Sequence, residues 1–562
     1  MKTTKSLCGI LIITTALLVG TIAQGAQFSA LNLPPILLVG AASDPVNNTY
    51  VLGTFTNTVV IGGQSYSPYA GITYLLARYR PDGTVGWAIR FGTSATPGAV
   101  TPNTTLTVTS NAVYVTGETL GSIHIVDVAG NAVNSAYNPG NRAGAIDGFL
   151  FRFSLAGVSV WQASVTGTSA GDAGRAVAPD AAGNIYWVGF FNGCCPTSGG
   201  ATLTGGDGTT LALNSPSYGT AFLAKLSPAG TPLWAAKAYN RDTEFDEVTV
   251  DSSGGVYVAG YTRSWSAGTS TTVVSANGTT SLVNNPGLVS HLLVKFNSAG
   301  VLQWSVPIFG TPGGNVDTDF ADLYALSSTT GDDLVIAGRY SSSTVTFSST
   351  DGVNKQLAGG TGYDGFVARY ASDGKAKWAV EVGGASDQVV SAISAGTSDV
   401  WVGGTTAGGI SMPGIVLTGL GAQDAFVLRV DATGQVVSGS LLGGTNSDSL
   451  ASLQVSGNDL GLVAGNEGGN FVGLGVQISN VGPFLLTTWA TRAPWVSLIK
   501  AVKPSFSNLT PGVKYQLQAS LDLNTWYDQG LPFTADSANM EYPWYYDVDN
   551  WSQVFFRLHV VP

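Results

Sequence analysis

Apolar and polar residues alternate along most of this chain in short runs that end at glycine-containing turns. Phe149, Phe151 and Phe153 alternate with Leu150 and Arg152, a period of two and therefore a strand. Val248-Thr249-Val250 and Ala176-Val177-Ala178 are shorter runs of the same kind, bounded by turns. No window carries the stripe of a long amphipathic helix. The pattern predicts an all-β chain.

The runs repeat. One pattern reads aromatic or Leu, two residues, a basic residue, an apolar residue, then Gly, then Trp four residues later. Its copies are Leu75…Arg78…Gly83…Trp87, Phe149…Arg152…Gly157…Trp161, Phe222…Lys225…Gly230…Trp234, Leu292…Lys295…Gly300…Trp304 and Phe366…Arg369…Gly374…Trp378. The tryptophans are 74, 73, 70 and 74 residues apart. Phe426…Arg429…Gly434 is a sixth copy with Ser438 in place of Trp, and Phe484 to Trp495 is a decayed seventh with Thr487 at the basic position. A second pattern, a turn and a strand ending in Gly, alternates with the first: Tyr50–Gly53, Tyr114–Gly117, Tyr186–Gly189, Tyr257–Gly260, Val335–Gly338, Trp401–Gly403 and Leu462–Gly465. Each unit therefore holds four short strands. Seven such units fit a seven-bladed β-propeller, in which neighbouring blades bury the faces that one blade cannot bury alone.

The stretch Asp364-Gly365-Phe366-Val367-Ala368-Arg369-Tyr370…Asp373-Gly374…Trp378…Gly383-Gly384 resembles the bacterial SBBP repeat, a β-propeller repeat of exported proteins. Asp424-Ala425-Phe426-Val427 and Asp251 to Gly260 match it as well, and the likeness spans about residues 36–500. The resemblance implies a propeller and no fixed activity. The units depart from the pattern by inserts of roughly 20 or more residues between second and third strands, longer than ordinary hairpin loops. Ser264 to Ser290 is one of them. They are expected to form extra hairpins along one rim.

Three segments are read outside that frame. Lys2 and Lys5, an apolar run from Ile10 to Val19 and the small residues Ala23 and Gly25 make residues 1–25 a secretory signal peptide. Residues 26–501 hold the repeats, and no later apolar run is long enough to span a membrane. Residues 502–562 are expected to form a small β-sandwich-like module: Leu509-Thr510-Pro511-Gly512…Tyr515 resembles a fibronectin-type turn, and such tails resemble those of exported Verrucomicrobia-type proteins. After signal removal only Cys194 and Cys195 remain, adjacent, either as a vicinal disulfide or as two free thiols.

Composition narrows the chemistry. Only 10% of residues are charged and the net charge is −11, so nucleic acid is not the expected partner. Acids recur before the first strand of a unit: Asp172, Asp246, Asp317 (or Asp322), Asp387 and Asp448. With the six in-register basic residues they make either ion pairs that hold blade register or a ring at a channel mouth that binds a cation such as Ca²⁺. The recurring tryptophans are read as inter-blade packing, with sugar stacking as the alternative. In the tail, Trp544, Tyr545, Tyr546 and Trp551 are candidates for an exposed binding platform.

Catalytic signatures are poor. His124, His291 and His559 are the only histidines and lie on different units. Gly167-Thr168-Ser169-Ala170-Gly171 matches a nucleophile elbow but sits between blades, without the helix such an elbow needs. The expectation is an exported, non-catalytic scaffold that binds a protein or carbohydrate partner at the cell envelope or outside it. The alternative is an enzyme on the same scaffold, polysaccharide-active or a quinoprotein-type oxidoreductase. The sequence does not give the oligomeric state.

Overall fold

The structure is a computed structural model. It describes residues 28–561 without 32, 94–103, 120, 130–131, 135–145, 168–170, 192–199, 215–216, 265, 267, 288, 311–320, 330, 342–343, 360–361, 457–458, 475, 479–480, 489–500, 503–504, 521–522, 542–545 and 548–554. Every regular element among the described residues is a strand, and no helix is long and apolar enough to cross a membrane. The signal segment and the Cys194–Cys195 pair lie outside the described residues.

The chain divides into two compact units, Met1–Thr491 and Arg492–Pro562. In the first, sheets of one antiparallel plan follow each other along the chain. Sheet 1 runs through Leu37–Ser43, Thr49–Thr54, Thr73–Tyr79 and Val85–Thr93. Sheets 2 to 6 begin at Thr105–Val108, Ala173–Pro179, Asp242–Val250, Ala321–Ser328 and Gln388–Ala395, and each continues through three more strands in the same order. Sheet 7 holds Ser449–Ser456, Asp459–Glu467 and Gly482–Thr487. Its fourth strand is Ser29–Ala30, in register Ser29↔Thr487 and Ala30↔Leu486. This explains the decayed seventh copy: the outer strand of that sheet comes from the other end of the unit.

The second strands are buried on both faces, as in Tyr50, Val51 and Leu52 or Tyr186, Trp187 and Val188. A strand covered on both sides reads as a continuous apolar run rather than an alternating one. Each core cluster joins two consecutive sheets. Leu150, Trp161 and Val165 of sheet 2 meet Ile185, Trp187 and Phe222 of sheet 3. Leu462, Ala464 and Leu485 of sheet 7 meet Val51, Leu75 and Ala77 of sheet 1. The first strands of consecutive sheets also lie side by side, and Ser449–Ser456 lies beside Leu37–Ser43. There Ala41 N donates to Ser452 Oγ at 3.0 Å and Ser43 N to Gln454 Oε1 at 2.7 Å.

The long inserts do form hairpins. Four of them continue the preceding sheet by pairing with its outer strand, in registers Ile125↔Phe91, Thr202↔Thr166, Val273↔Ala238 and Thr346↔Phe309. An uncovered outer strand would present a row of unpaired amides and carbonyls, and the hairpin removes that row.

In the second unit, Lys514–Ser520 lies between Tyr527–Thr534 and Phe555–Val561. Leu509, Tyr515 and Ala535 form its small buried cluster, and Thr510 N donates to Tyr515 Oη at 3.0 Å across the turn. Ala501–Val502 pairs with Tyr546–Asp547 in this unit.

The tryptophans fasten the sheets. Trp87, Trp161, Trp304 and Trp378 donate their indole N–H to Leu155, Pro228, Ser372 and Ala432 carbonyls, all at 3.0 Å, in the third-to-fourth-strand turn of the next sheet. Each ring also lies flush on the glycine of that turn: a Cβ on Gly230 (φ 86°) would come 2.9 Å from Trp161 Cδ2. Only Gly supplies both the left-handed backbone and the flat surface. At Gly83, the same position in sheet 1, the covering side chain is Leu31 from the N-terminal segment. Substituting Trp161→Ala is expected to cost about 3–5 kcal/mol by the cavity it leaves. Trp161→Phe is expected to lose a smaller amount, about 1 kcal/mol for the hydrogen bond, both read by urea denaturation.

Candidate functional site

Four of the six in-register basic residues pair with an acid in the turn between first and second strands of their own sheet. Lys295 Nζ lies 3.1 Å from Asp251 Oδ2, Arg369 Nε 2.8 Å from Asp333 Oδ2, Arg429 Nη2 2.6 Å from Asp399 Oδ2, and Lys225 Nζ 3.8 Å from Asp180 Oδ2. Their partners are therefore turn acids, not the acids that precede the first strands. The turn acid sits at the first position in Asp180 and Asp251, where it also accepts backbone N–H groups of its own turn, and near the last position in Asp333 and Asp399. The shift between two positions hid the pairing from a search for one column. Lys225 and Lys295 also reach across to Ser298 O and Ser372 O in the next sheet, both at 3.1 Å.

The structure does not bring the predicted acid ring together. The amide of Asp172 bonds Ile146 O and that of Asp448 bonds Gln423 O, but at the equivalent place it is the amide of Gln388 that bonds Tyr363 O, so Asp387 stands one residue earlier. Asp172 and Asp448 are buried. Asp387 Oδ1 accepts the Tyr363 amide at 3.0 Å and Asp448 accepts the amides of Gly444 and Gly468, both at 2.9 Å. Asp246 stands elsewhere, on a bulge within the first strand of sheet 4. Asp317 lies outside the described residues. No group of three or more His, Cys, Asp or Glu side chains is gathered as metal ligands among the described residues. Of the aromatic platform, Trp544, Tyr545 and Trp551 lie outside the described residues, and Tyr546 is placed only by its strand.

A charged cluster that the sequence reading missed lies on the first strands. In six of the seven sheets a bulge interrupts the register there, at Val39, Arg175, Asp246, Tyr324, Ser391 and Ala451, always between the same pairs of the ladder. A bulge re-aims its extra residue. Arg175 thereby reaches three acids from two neighbouring sheets: Glu244 at 3.1 Å, Glu118 at 3.5 Å and Asp246 at 3.7 Å. Its guanidinium lies 5.0 Å over the Phe190 ring. Tyr261 Oη donates to Glu244 Oε1 at 3.1 Å. Burial pushes Glu118 and Glu244 above their ordinary range although Arg175 opposes it. Glu247 keeps some solvent contact but is enclosed by protein, and that enclosure, with Asp246 beside it, pushes its carboxyl up to about 8. A signal that could have found this cluster is the run of charged residues on the first strand of one unit, Asp242, Glu244, Asp246 and Glu247, which the other units lack.

A second feature is a groove of about 630 Å³ between the insert hairpin Val59–Tyr66, the outer strand Val85–Thr93 and the hairpin beginning at Ile123. Gln64, Tyr66, Trp87, Arg90 and Asp127 line it. Arg90 lies 4.6 Å over the Tyr69 ring, and Tyr66 Oη donates to Ala88 O at 2.9 Å. The inserts also carry exposed aliphatic side chains: Val60 at 61%, Leu282 at 73%, Val353 at 61% and Val416 at 73%.

No family model matches the chain. Over 246 residues it is 25% identical to an uncharacterized WD repeat-containing protein, L264, of Acanthamoeba polyphaga mimivirus, a match covering 40% of this chain and 17% of that protein. Among solved structures, the extracellular domain of a hybrid two component system, BT4673, from B. thetaiotaomicron aligns over 96% of this chain and 99% of its own, at 7% identity and a TM-score of 0.17. A glycoside hydrolase aligns over 82% and 94%, at 11% identity and a TM-score of 0.18. Scores this low carry no argument about fold or activity.

Glu247 gives a pH test. Its folded carboxyl titrates near 8 against an ordinary 4.5, so the folded state binds the proton more tightly and stability falls as pH rises through that window. The contribution is fully present below 4.5 and lost above 8. Glu247→Gln is expected to match the parent near pH 4.5 and to exceed its melting temperature by about 2–4 °C at pH 8.5, measured by differential scanning fluorimetry.

Proposed function

We propose that the chain is an exported, seven-bladed β-propeller of the SBBP-repeat type, followed by a small β module, and that it acts as a non-catalytic scaffold binding a protein or glycan partner. Several observations support the propeller. Each core cluster spans two consecutive sheets, the last of which packs on the first, and the N-terminal strand completes the seventh sheet. Circular closure then leaves no sheet with a bare face.

The observation that carries the binding reading is how the recurring residues are used. The tryptophans and most of the basic residues are engaged in holding turns and neighbouring sheets. That leaves the non-recurring inserts as the surface free to vary, which is how a rigid scaffold acquires a partner. The groove beside Gln64 and Arg90 lies on that surface, and its volume is within the range of ligand pockets. A glycan or a peptide segment fits its mixture of aromatic edges, one guanidinium and one carboxylate.

The test is an array of glycans and envelope proteins probed with the secreted chain. Ser65 is exposed on the rim of the groove, so Ser65→Trp is expected to weaken binding to the captured partner at least tenfold while leaving the melting temperature within about 1 °C. A blank array together with turnover of a polymer would replace this reading with an enzymatic one.

A further inference from the structure

Asp424 opens the third strand of sheet 6, Asp448 precedes the first strand of sheet 7, and Glu467 ends that sheet's second strand. All three are buried, with exposures of 1%, 1% and 5%. Each carboxylate is partly satisfied by backbone amides. Asp424 Oδ2 accepts Leu420 N at 2.7 Å and Gly421 N at 3.3 Å. Asp448 accepts Gly444 N and Gly468 N, and the Phe471 amide donates to Glu467. Two oxygens are left over: Asp424 Oδ1 and Glu467 Oε2 have no hydrogen-bond partner.

The first of these converges with an oxygen of Asp448. A Cβ on Gly443 would lie 2.6 Å from Asp424 Oδ1 and 2.6 Å from Asp448 Oδ2, so both carboxylates reach the point that glycine leaves open. The charge of Asp448 bears on both Asp424 and Glu467 and disfavours their ionised forms. Burying like charges face to face costs several kcal/mol unless something positive lies between them. The same corner brings main-chain carbonyls close: Gly469 O and Asn470 O crowd the adjacent Gly444, at 2.6 and 2.5 Å from its Cβ position.

We propose that Asp424 and Asp448 hold a hard divalent cation of the Ca²⁺ class between sheets 6 and 7, with Glu467 adding negative charge beside it. The side-chain donors are oxygen only, which favours Ca²⁺ or Mg²⁺ over Zn²⁺. An irregular pocket with two carboxylates, leaving the remaining positions to carbonyls and water, suits the flexible shell of Ca²⁺ better than the octahedron Mg²⁺ demands. The cation would tie the third strand of one sheet to the inner strand of the next, at a junction where sheet 6 has Ser438 in place of the fastening Trp.

The whole secreted chain is dialysed against EDTA and then melted with and without about 1 mM CaCl₂, with bound calcium measured by atomic emission. Ca²⁺ is expected to raise the melting temperature by several degrees, with Mg²⁺ doing less. Asp424→Asn and Asp448→Asn are each expected to abolish that rise and to lower the bound calcium by one equivalent, while Glu467→Gln weakens affinity about tenfold. In EDTA, Asp424→Asn is expected to be at least as stable as the parent, because it relieves the repulsion, so loss of response cannot be mistaken for unfolding. A parent chain indifferent to Ca²⁺, or a response that survives both Asn variants, overturns the site. Indifference to Ca²⁺ with a higher melting temperature for Asp424→Asn would identify a shared proton in its place.

Discussion

Burial of each sheet against its neighbours is the constraint on which the first unit depends. A four-stranded sheet has two faces, and its second strand is apolar on both, as Tyr186, Trp187 and Val188 show. Left alone, such a sheet would expose both of those faces to water, at roughly 25 cal/mol for each Å². Every face therefore needs another sheet, and the sequence has to say which sheet and in what register. Where a unit carries the indole, the indole does this directionally. Its N–H finds one carbonyl and its ring finds one glycine in the following unit, so the greasy contact is also a specific one. Where no preceding tryptophan exists for Gly83, Leu31 takes over the packing without the hydrogen bond.

The inserts solve a different problem in the same economical way. Each sheet ends in an outer strand with unpaired backbone groups, and the hairpin that covers four of these strands is contributed by the next unit. Sheets 1 and 2, and sheets 2 and 3, are thus linked three times: through their apolar faces, through the indole, and through a shared sheet edge. The remaining hairpins, Val59–Ile61 with Gln64–Tyr66, Gly409–Met412 with Ile415–Thr418 and Phe471–Gly473 with Val476–Ile478, pair within themselves. These are the units beside sheets 5, 6 and 7, where the preceding outer strand is left as the edge of a four-stranded sheet.

The strands, their order within a unit and the role of the tryptophans were legible because they depend on local period and on residues that recur. Phe149, Phe151 and Phe153 read as a strand and are one. What depended on long-range pairing was not legible. Nothing local marks Ser29 and Ala30 as the outer strand of a sheet assembled some 450 residues later, and nothing local shows that Ile123–Val126 belongs to the sheet before it. The acids were misassigned for a related reason. Asp180 and Asp333 occupy two places in the same turn and yet meet the same basic position, so matching by offset finds neither, whereas Asp172, Asp246 and Asp387 look alike in sequence and occupy three different places on the ladder.

Recurrence and function separate on physical grounds. A residue that every unit needs is held by the same contact in every unit, and changing it harms the array. The bulged position of the first strand is freed from that demand. It is the extra residue in the ladder, and the units fill it with Val39, Arg175, Asp246, Tyr324, Ser391 and Ala451. Only at two adjacent units does it carry opposite charges, and there it collects Glu118 and Glu244 into a network spanning three sheets. One guanidinium facing three carboxylates leaves that corner with excess negative charge, in surroundings that raise the carboxyl pKa values rather than lower them. Such a cluster is costly to keep for stability alone, since an apolar triplet of the same volume would pack as well or better. The asymmetry of an otherwise repetitive molecule is therefore concentrated where its backbone permits variation, at the bulges and in the inserts, and a partner that distinguishes one side of the array from another has to read it there.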